Sequence, residues 1–287
     1  MSTNAFQPEP ATITNEDFLK FKEFFYRRTG ISFEKSKRYF VDRRLVERIE
    51  ATGTGTFRGY FTMLRFQASG EELQQLTNVM TVNETYFLRE EYQFKCLVNS
   101  ILPQIVLGRV GTDPIRIWCI PSSSGEEPYS VAMYLLESWP GIQQWDVEII
   151  ASDIDTSILR RARAGRYSAR SVQYLPESWL QKYFASVRDE YQLCDDLRQA
   201  VRFTRVNLAE PVDTLGYRNF DVIFCRNLLI YFDDASRQTA SETFFEALNP
   251  GGYLCLGHSE SMSRISSLFD VRKFPEAIVY QKTLEAK

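Results

Sequence analysis

Apolar and polar positions follow two different periods along this chain, and the period changes near residue 82. From Asn15 to about Val79, apolar residues recur every three or four positions, which predicts four short amphipathic helices. The second of these is predicted to run from Ser32 to a stop at Gly53. Beyond residue 82, short β-branched runs alternate with helical segments, a pattern typical of α/β proteins. We therefore predict an all-helical domain at 1–82 and a larger α/β domain at 83–287.

The stretch from Ile115 to Ser130, IRIWCIPSSSGEEPYS, organises the second domain. IRIWCI has the content of a short buried strand, and PSSSG is a turn cluster whose Gly125 permits backbone conformations that other residues resist. EEPYSVAMYLLE then predicts a helix, with Pro128 suited to its first turn. A strand, a glycine-containing turn and a helix N-terminus form the ligand-binding corner of an open parallel sheet. A nucleotide-like ligand is predicted to bind there.

Four further strands follow this corner, and one segment interrupts them. The strands are predicted within 146–155, 201–208, 220–232 and 253–261, with a turn at Pro250–Gly252 before the last, and a closing hairpin follows near the C-terminus. Residues of about 167–199 break the alternation and predict a small inserted β-subdomain that includes 191–193 and Leu197. The predicted fold is a Rossmann-like class I methyltransferase sheet with this insert, preceded by the helical domain.

Composition narrows the function classes. A net charge of -3 and a pI near 5.5 argue against a general nucleic-acid binder. The chain has no basic and apolar secretory start, and no apolar run near the ~18 residues of a membrane span. Its five cysteines lack C-x-x-C spacing and it has a single histidine, so no metal site is predicted. We expect a monomeric cytoplasmic protein with no membrane insertion.

The residues of the turn indicate the charge of the ligand. A dinucleotide site would use G-x-G-x-x-G, whereas this turn has one glycine followed by Glu126 and Glu127. Two carboxylates would repel a pyrophosphate but suit an amino group or a sulfonium, and S-adenosylmethionine carries both. Acidic residues also favour helix N-termini for dipole reasons alone. Asp153, at the tip of the second strand, is the candidate for the ribose diol, and Asp155 the candidate cap of the next helix.

Basic residues in two places, one in each predicted domain, are candidates for binding acidic groups. Lys37, Arg44 and Arg48 form one ridge on a helical wheel, within a segment that has ten basic and four acidic residues between Lys20 and Arg48. This ridge is either a solvated face or a docking surface for an acidic partner. Arg89 lies among aromatic residues, an environment in which a guanidinium often binds an anion.

At this point several motifs, in this order, resemble one family. NETYFLRE, SSSGEEPYS, ASDID, VNL, FCRNLLIYF and GHSES resemble the chemotaxis receptor glutamate O-methyltransferases, the CheR family, over about Ile13 to Gln281. The resemblance implies methyl transfer from S-adenosylmethionine to glutamate side chains in the cytoplasmic domains of chemoreceptors. The products would be γ-methyl esters, which set sensory adaptation, and S-adenosylhomocysteine.

The resemblance also implies the site residues. Arg89 and Tyr231 would be the catalytic residues and lie nearest the point of methyl transfer. His258 would be either a structural hydrogen-bonding group or part of the cofactor cleft. Attack by an already ionised glutamate needs no general base, so the site must supply alignment. The cofactor-binding residues implied by the resemblance are Asn83, Thr85, Arg89, Glu127, Asp153, Asn207, Leu208, Cys225 and Arg226.

Two departures from the family pattern keep alternatives open. Ile120-Pro121 stands where relatives usually carry small residues, and Pro121 removes an N–H, so cofactor affinity could differ. The insert after Tyr183 looks short, which puts in doubt the binding of a receptor's C-terminal tether. The alternatives are a methyltransferase for another protein or a small acid, and a non-catalytic module that binds S-adenosylmethionine.

Overall fold

The chain divides into two compact units between Thr81 and Val82. The computed structural model describes residues 12–107, 109 and 113–283. Most of the N-terminal segment, for which no secretory signal is predicted, lies outside the described residues. The helical unit contains a 3₁₀ turn at Lys35–Lys37 and the helices α1 (Asn15–Thr29), α2 (Arg38–Thr52), α3 (Phe57–Phe66) and α4 (Glu71–Met80).

Hydrogen bonds of Thr14 and Asp17 fix where the first helix begins. Thr14 caps α1, because its hydroxyl accepts from the backbone N–H of Asp17 at 3.1 Å and the Asp17 carboxylate accepts from the Thr14 N–H at 3.1 Å. Helix α2 begins at Arg38, six residues after the predicted start at Ser32. The helices pack around buried apolar side chains that include Phe21, Phe25, Val41, Leu45 and Leu76.

The second unit is an α/β sheet unit, as predicted. Its helical segments are α5 (Tyr92–Cys96), which continues through a π-helical turn at Leu97–Ile101 into α6 (Leu102–Leu107), α7 (Glu126–Ser138), α8 (Thr156–Ala164), α9 (Ala169–Val172), α10 (Glu177–Tyr183), α11 (Asp195–Ala200), α12 (Pro211–Thr214) and α13 (Asp234–Ala247). Its strands are β1 (Ile115–Cys119), β2 (Val147–Asp153), β3 (Arg166–Ser168), β4 (Phe184–Val187), β5 (Glu190–Leu193), β6 (Val201–Arg205), β7 (Phe220–Cys225), β8 (Leu248–Leu256), β9 (Phe269–Lys273) and β10 (Ile278–Lys282).

Seven strands form the main sheet in the order β6-β2-β1-β7-β8-β10-β9. The first five are parallel, and β10 and β9 close the sheet as the predicted antiparallel hairpin. β1 lies at the centre, so Cys119 aligns with Ala151 of β2 on one side and Phe224 of β7 on the other. The carboxyl ends of the parallel strands therefore meet at one edge of the sheet, where open α/β sheets bind ligands.

The insert is a separate three-stranded antiparallel sheet in the order β3-β5-β4. Its strands are only three or four residues long.

Two details of the predicted secondary structure are wrong. Leu197 lies in α11 and not in a strand, and Pro250–Gly252 belong to β8, where the pairing with β7 is irregular, instead of forming a separate turn.

Alternating burial places side chains of β1 in two layers. Ile117 and Cys119 belong to the large apolar cluster of the unit, whereas Trp118 stacks on Tyr217 and Phe220. The five cysteines are free thiols, and all but Cys194 are buried. No helix in the described ranges is long and apolar enough to cross a bilayer. Among those residues, no cluster of three His, Cys, Asp or Glu side chains could hold a metal ion.

Candidate active site at the carboxyl edge of the sheet

The serine-rich turn after β1 is shaped by close packing around Gly125. This residue adopts φ +96°, and a Cβ there would approach Tyr129 Cε2 at 2.9 Å and the Tyr167 hydroxyl at 3.1 Å. The Tyr167 hydroxyl donates to the Ser124 carbonyl at 2.9 Å. Only glycine fits both the backbone conformation and the space, so the turn stays close to the sheet and its helix N-terminus faces the strand ends.

The two glutamates of the turn have different functions. Glu126 is buried, and its carboxylate accepts from the hydroxyls of Ser124 at 2.6 Å and Ser171 at 2.7 Å. Because both oxygens are hydrogen-bonded, Glu126 fastens the turn to the insert and is not an exposed charge facing a ligand. The expectation of two ligand-directed carboxylates is therefore wrong for Glu126, and for Glu127 it stays a prediction.

Glu127 belongs to a chain of buried charges. Its Oε2 lies 2.8 Å from Nη1 of Arg226, whose side chain is only 3% exposed, and Nη2 of Arg226 lies 3.4 Å from Glu90. Arg226 also donates to the Arg89 carbonyl, and Glu90 lies 3.1 Å from Nδ1 of His258. Arg226, which follows β7 and is one of the predicted cofactor-binding residues, thus holds Glu127.

This chain of charges is incomplete at its centre. Oε1 of Glu127 and Nε of Arg226 are buried and have no hydrogen-bond partner among the residues that the structure describes. Burial raises the pKa of Glu127 to about 7, although the neighbouring Arg226 opposes the shift. A buried carboxylate oxygen without a donor is costly, and a cationic ligand would supply the missing partner.

Asp153 lies at the end of β2, and its side chain contacts the turn. Its Oδ2 accepts from the backbone N–H of Ser123 at 2.8 Å and its Oδ1 from that of Asp155 at 3.0 Å. Burial raises the pKa of Asp153 to about 6, and these N–H groups oppose the shift. Each carboxylate oxygen can accept a further hydrogen bond, so the site can receive hydroxyl donors such as those of a ribose.

Asp155 caps α8, as predicted. Its Oδ1 accepts from the N–H groups of Ser157 and Ile158, and Asn83 donates to its Oδ2 at 2.9 Å. The side chain of Asn83 therefore contacts the cap, which fixes the start of the 83–91 segment beside the end of β2. Thr85 is partly buried in the same segment.

The remaining predicted cofactor residues follow β6 and β7. Asn207 is buried and its side-chain oxygen accepts from the Ala209 N–H at 3.0 Å, so this side chain shapes its own turn. Leu208 is 7% exposed. Cys225 is fully buried at the end of β7, and burial raises the pKa of its thiol. These residues lie at the same edge of the sheet as Asp153.

Arg89 lies close enough to Tyr231 and to Glu127 for its charge to act on both. The positive charge of Arg89 lowers the pKa of Tyr231, although burial raises it overall, and also opposes the upward shift at Glu127. Nη1 of Arg89 donates to the Glu84 carbonyl at 2.8 Å, and its guanidinium lies 5.9 Å from the ring of Tyr86. Tyr231 is 37% exposed, so part of this residue is accessible from solvent.

Sequence reasoning missed several residues that hold the site. The hydroxyl of Ser130 accepts from the Leu88 N–H at 3.0 Å, which ties the Arg89 segment to α7. Glu90 joins Arg226 to His258, and Glu260 accepts backbone N–H groups from the loop after β7. All of them lie within the quoted motifs, but their partners are distant in sequence. His258 is 69% exposed and hydrogen-bonded, which supports the structural interpretation.

The unusual Ile120-Pro121 pair is flanked by hydrogen-bonded backbone N–H groups, those of Ile120 itself and of Ser122. Its peptide bond is cis. Ile120 donates to the Phe224 carbonyl at 2.9 Å and Ser122 to the Ser152 carbonyl at 2.8 Å. The turn is therefore anchored on both neighbouring strands.

In the helical unit, the predicted basic ridge is not a row of free cations. Arg48 binds both carboxylate oxygens of Glu72 at 2.9 and 2.7 Å, and Glu72 is only 6% exposed. Arg44 lies over the ring of Phe40 at 3.6 Å and donates to the Val79 carbonyl. Lys37 is exposed and precedes α2. Two of the three predicted docking cations therefore stabilise the unit itself.

Known proteins match this chain along nearly its whole length. Residues 83–278 match the S-adenosylmethionine-binding domain of CheR methyltransferases, and residues 16–81 match the all-alpha domain of the same family. A Vibrio cholerae protein named chemotaxis protein methyltransferase 2 is 59% identical over 276 residues, which cover 96% of each chain. The Escherichia coli chemotaxis protein methyltransferase is 33% identical over 271 residues, 92% of this chain and 91% of that protein.

Proposed function

Because this chain belongs to the CheR family of chemotaxis methyltransferases, we propose that the carboxyl edge of its sheet is a methyl-transfer site. The protein is an S-adenosylmethionine-dependent methyltransferase that methylates chemoreceptors. The acceptors proposed here are glutamate side chains, which become γ-methyl esters. The observation that carries the site assignment is the buried, unpartnered oxygen of Glu127 beside Arg226.

The residues at this edge fit S-adenosylmethionine. Glu127 can accept from its ammonium group through the free Oε1, and Asp153 can accept from the ribose hydroxyls. Leu208 and Cys225 offer an apolar border for the base, and Asn207 fixes the turn between β6 and α12. When bound, S-adenosylmethionine supplies an electrophilic methyl group on a positively charged sulfur.

Arg89 and Tyr231 are proposed to hold the acceptor carboxylate. A guanidinium and a phenol can each donate to it and fix its direction of approach. A glutamate is already ionised near neutral pH, so no residue need remove a proton. The acceptor also loses its negative charge as the ester forms. Very tight binding of the carboxylate would therefore stabilise the bound substrate more than the transition state and lower kcat. The partial exposure of Tyr231 suits contact with a large protein substrate.

The Tyr231→Phe variant tests this assignment most directly. We expect kcat to fall about 10- to 100-fold because a positioning hydrogen bond is lost, with the Kd of S-adenosylhomocysteine unchanged within twofold. Label from S-adenosylmethionine should enter a receptor cytoplasmic fragment as a base-labile ester. Tyr174→Phe is the matched control, since Tyr174 is 59% exposed and stacks on Tyr86 through its ring. Equal kcat in both variants, or base-stable label, would contradict the proposal.

The helical unit is proposed to dock the receptor. With Arg44 and Arg48 engaged internally, the exposed Lys35 and Lys37 remain as candidate contacts for an acidic receptor surface. The site of action is proposed to be the cytoplasm, where the free thiols would stay reduced, and the working form a monomer. Light scattering on the full chain, alone and with a receptor fragment, would measure the oligomeric state.

A further inference from the structure

Glu260, in the loop after β8, joins two loops at the carboxyl edge of the sheet. Its Oε2 accepts from the backbone N–H groups of Asn227 at 2.8 Å and Gly257 at 3.0 Å, and its Oε1 accepts from that of Leu229 at 2.8 Å. One carboxylate therefore holds three backbone groups, two of them in the loop after β7. That loop carries Arg226 on one side and Tyr231 on the other.

The loop after β7 needs such a partner because its conformation is unusual. Asn227 adopts φ +58°, a left-handed conformation that is unfavourable for most residues. A 3₁₀ turn at Leu229–Tyr231 follows, in which the Tyr231 N–H donates to the Leu228 carbonyl at 3.0 Å. Without Glu260, two N–H groups in this short segment would lose their acceptor. The direction of the Tyr231 side chain depends on that segment.

The space around the carboxylate is tightly fitted. A Cβ on Gly257 would come within 2.9 Å of Oε2 of Glu260 and 3.0 Å of Nδ2 of Asn227. Glycine at 257 therefore allows the carboxylate and the loop to approach each other closely. Burial raises the pKa of Glu260, while the N–H groups of Asn227, Gly257 and Leu229 oppose the shift. These contacts favour an ionised side chain with a fixed position.

We propose that Glu260 is a positioning residue for methyl transfer, which fixes the loop that carries Tyr231 relative to the end of β8. This inference rests on the role proposed above for Tyr231. Glu260 acts through the backbone, because both of its carboxylate oxygens accept from backbone N–H groups, and it has no part in binding the acceptor itself. Its contribution to the reaction should therefore depend on the Tyr231 hydroxyl.

A double-mutant cycle between Glu260→Gln and Tyr231→Phe separates positioning from general stability. An amide keeps the size of the carboxylate but replaces one acceptor oxygen by a donor, so at least one of the three N–H contacts is lost. We expect Glu260→Gln to lower kcat about 10- to 100-fold, with the Kd of S-adenosylhomocysteine within twofold of wild type. In the Tyr231→Phe background the same change should lower kcat less than threefold.

Controls keep the result interpretable. Glu276→Gln changes a half-buried carboxylate that accepts from Asn99 and Ser100 and should leave kcat unchanged. If Glu260→Gln does not fold, Glu260→Asp keeps the charge, shortens the reach by one methylene and should lower kcat in the same non-additive way. An unchanged kcat, or equal losses in both backgrounds, would overturn the inference while leaving Tyr231 in place. An unaffected kcat in Tyr231→Phe alone would instead overturn the proposed function, and this inference with it.

Discussion

A buried arginine–glutamate pair occurs in each unit of this protein, Arg48–Glu72 in one and Arg226–Glu127 in the other, and the two pairs differ in how completely they are satisfied. In the helical unit, Glu72 receives two hydrogen bonds from Arg48 and a third from the Tyr60 hydroxyl at 2.8 Å. In the methyltransferase unit, Glu127 receives one hydrogen bond from Arg226, and no described residue donates to its other oxygen. The same two residue types thus form a complete network in one place and an incomplete one in the other.

This difference distinguishes a structural pair from a binding site. A complete buried network holds elements together, and removing one partner leaves an uncompensated charge. An incomplete one leaves a buried acceptor that a ligand can satisfy, at the expense of stability without the ligand. The comparison therefore predicts opposite results for the same glutamate-to-glutamine change in the two units.

The largest effect is expected from Glu72→Gln. Loss of the charge leaves Arg48 partly buried without its counter-ion, which should destabilise the helical unit by about 3–5 kcal/mol. Hydrogen exchange of amides in α2 and α4, measured in the full chain, would report this loss directly. Cofactor affinity should stay within twofold of wild type.

Glu47→Gln is the matched control for this change. Glu47 pairs with Arg43 within α2, but both side chains are at least half exposed. Such a pair contributes about 0.3–0.5 kcal/mol, so exchange in α2 should barely change. Equal protection in the Glu72 and Glu47 variants would mean that the buried network does not stabilise the unit.

Glu127→Gln should show the reverse pattern. The raised pKa of Glu127 means that its ionised form is disfavoured in the folded protein, so an amide should leave the free energy of unfolding unchanged or increase it slightly at pH 8. Binding of S-adenosylhomocysteine should weaken about 10- to 100-fold, because a hydrogen bond to a charged group is lost. Calorimetry would measure both quantities. Glu148→Gln, at an exposed pair with Arg116, is the control.

The titration of Glu127 sharpens the comparison further. Its folded-state pKa of about 7 exceeds its usual value of 4.5, so stability falls as pH rises from about 4.5 to 7 and the penalty is complete above 7. A cationic ligand favours the ionised form, so binding should release a proton at pH 6. Affinity should rise about fivefold from pH 6 to 7, reach about tenfold near pH 8 and then level off. Glu127→Gln should abolish that slope, and a slope that persists in the variant would point to another group.

Local patterns in the sequence predicted most of the fold but only part of the site. The periodicity of apolar residues identified the four helices, and the motif from Ile115 to Ser130 identified the central strand, turn and helix. The start of α2 and the place of Leu197 were wrong, because tertiary packing overrides local helix and strand patterns. Spacing could not distinguish the bonded Glu126 from the available Glu127, since their partners Ser171 and Arg226 are far away in sequence.

The same limit applied to the basic ridge, and it gives the smallest predicted effect. A helical wheel placed Lys37, Arg44 and Arg48 together but could not show that buried Glu72 takes up Arg48. Exposed cations such as Lys35 and Lys37 contribute little to stability but can contact an acidic partner. Reversing both to glutamate should therefore raise the KM for receptor about two- to fivefold. Protection of α2 against hydrogen exchange should not change.

Salt dependence separates docking from a general change of charge. The wild-type KM should rise with ionic strength, because contacts between exposed charges are screened, while the KM of the reversed variant should respond less. Lys273→Glu, an exposed reversal on β9, controls for the change in net charge. If its KM rises as much as that of the Lys35/Lys37 variant, the receptor responds to overall charge and not to this surface. The proposal is supported if the KM for receptor rises only in the Lys35/Lys37 variant and the protection of α2 against hydrogen exchange does not change. Arg44 and Arg48 would then stabilise the helical unit, whereas Lys35 and Lys37 would contact the receptor.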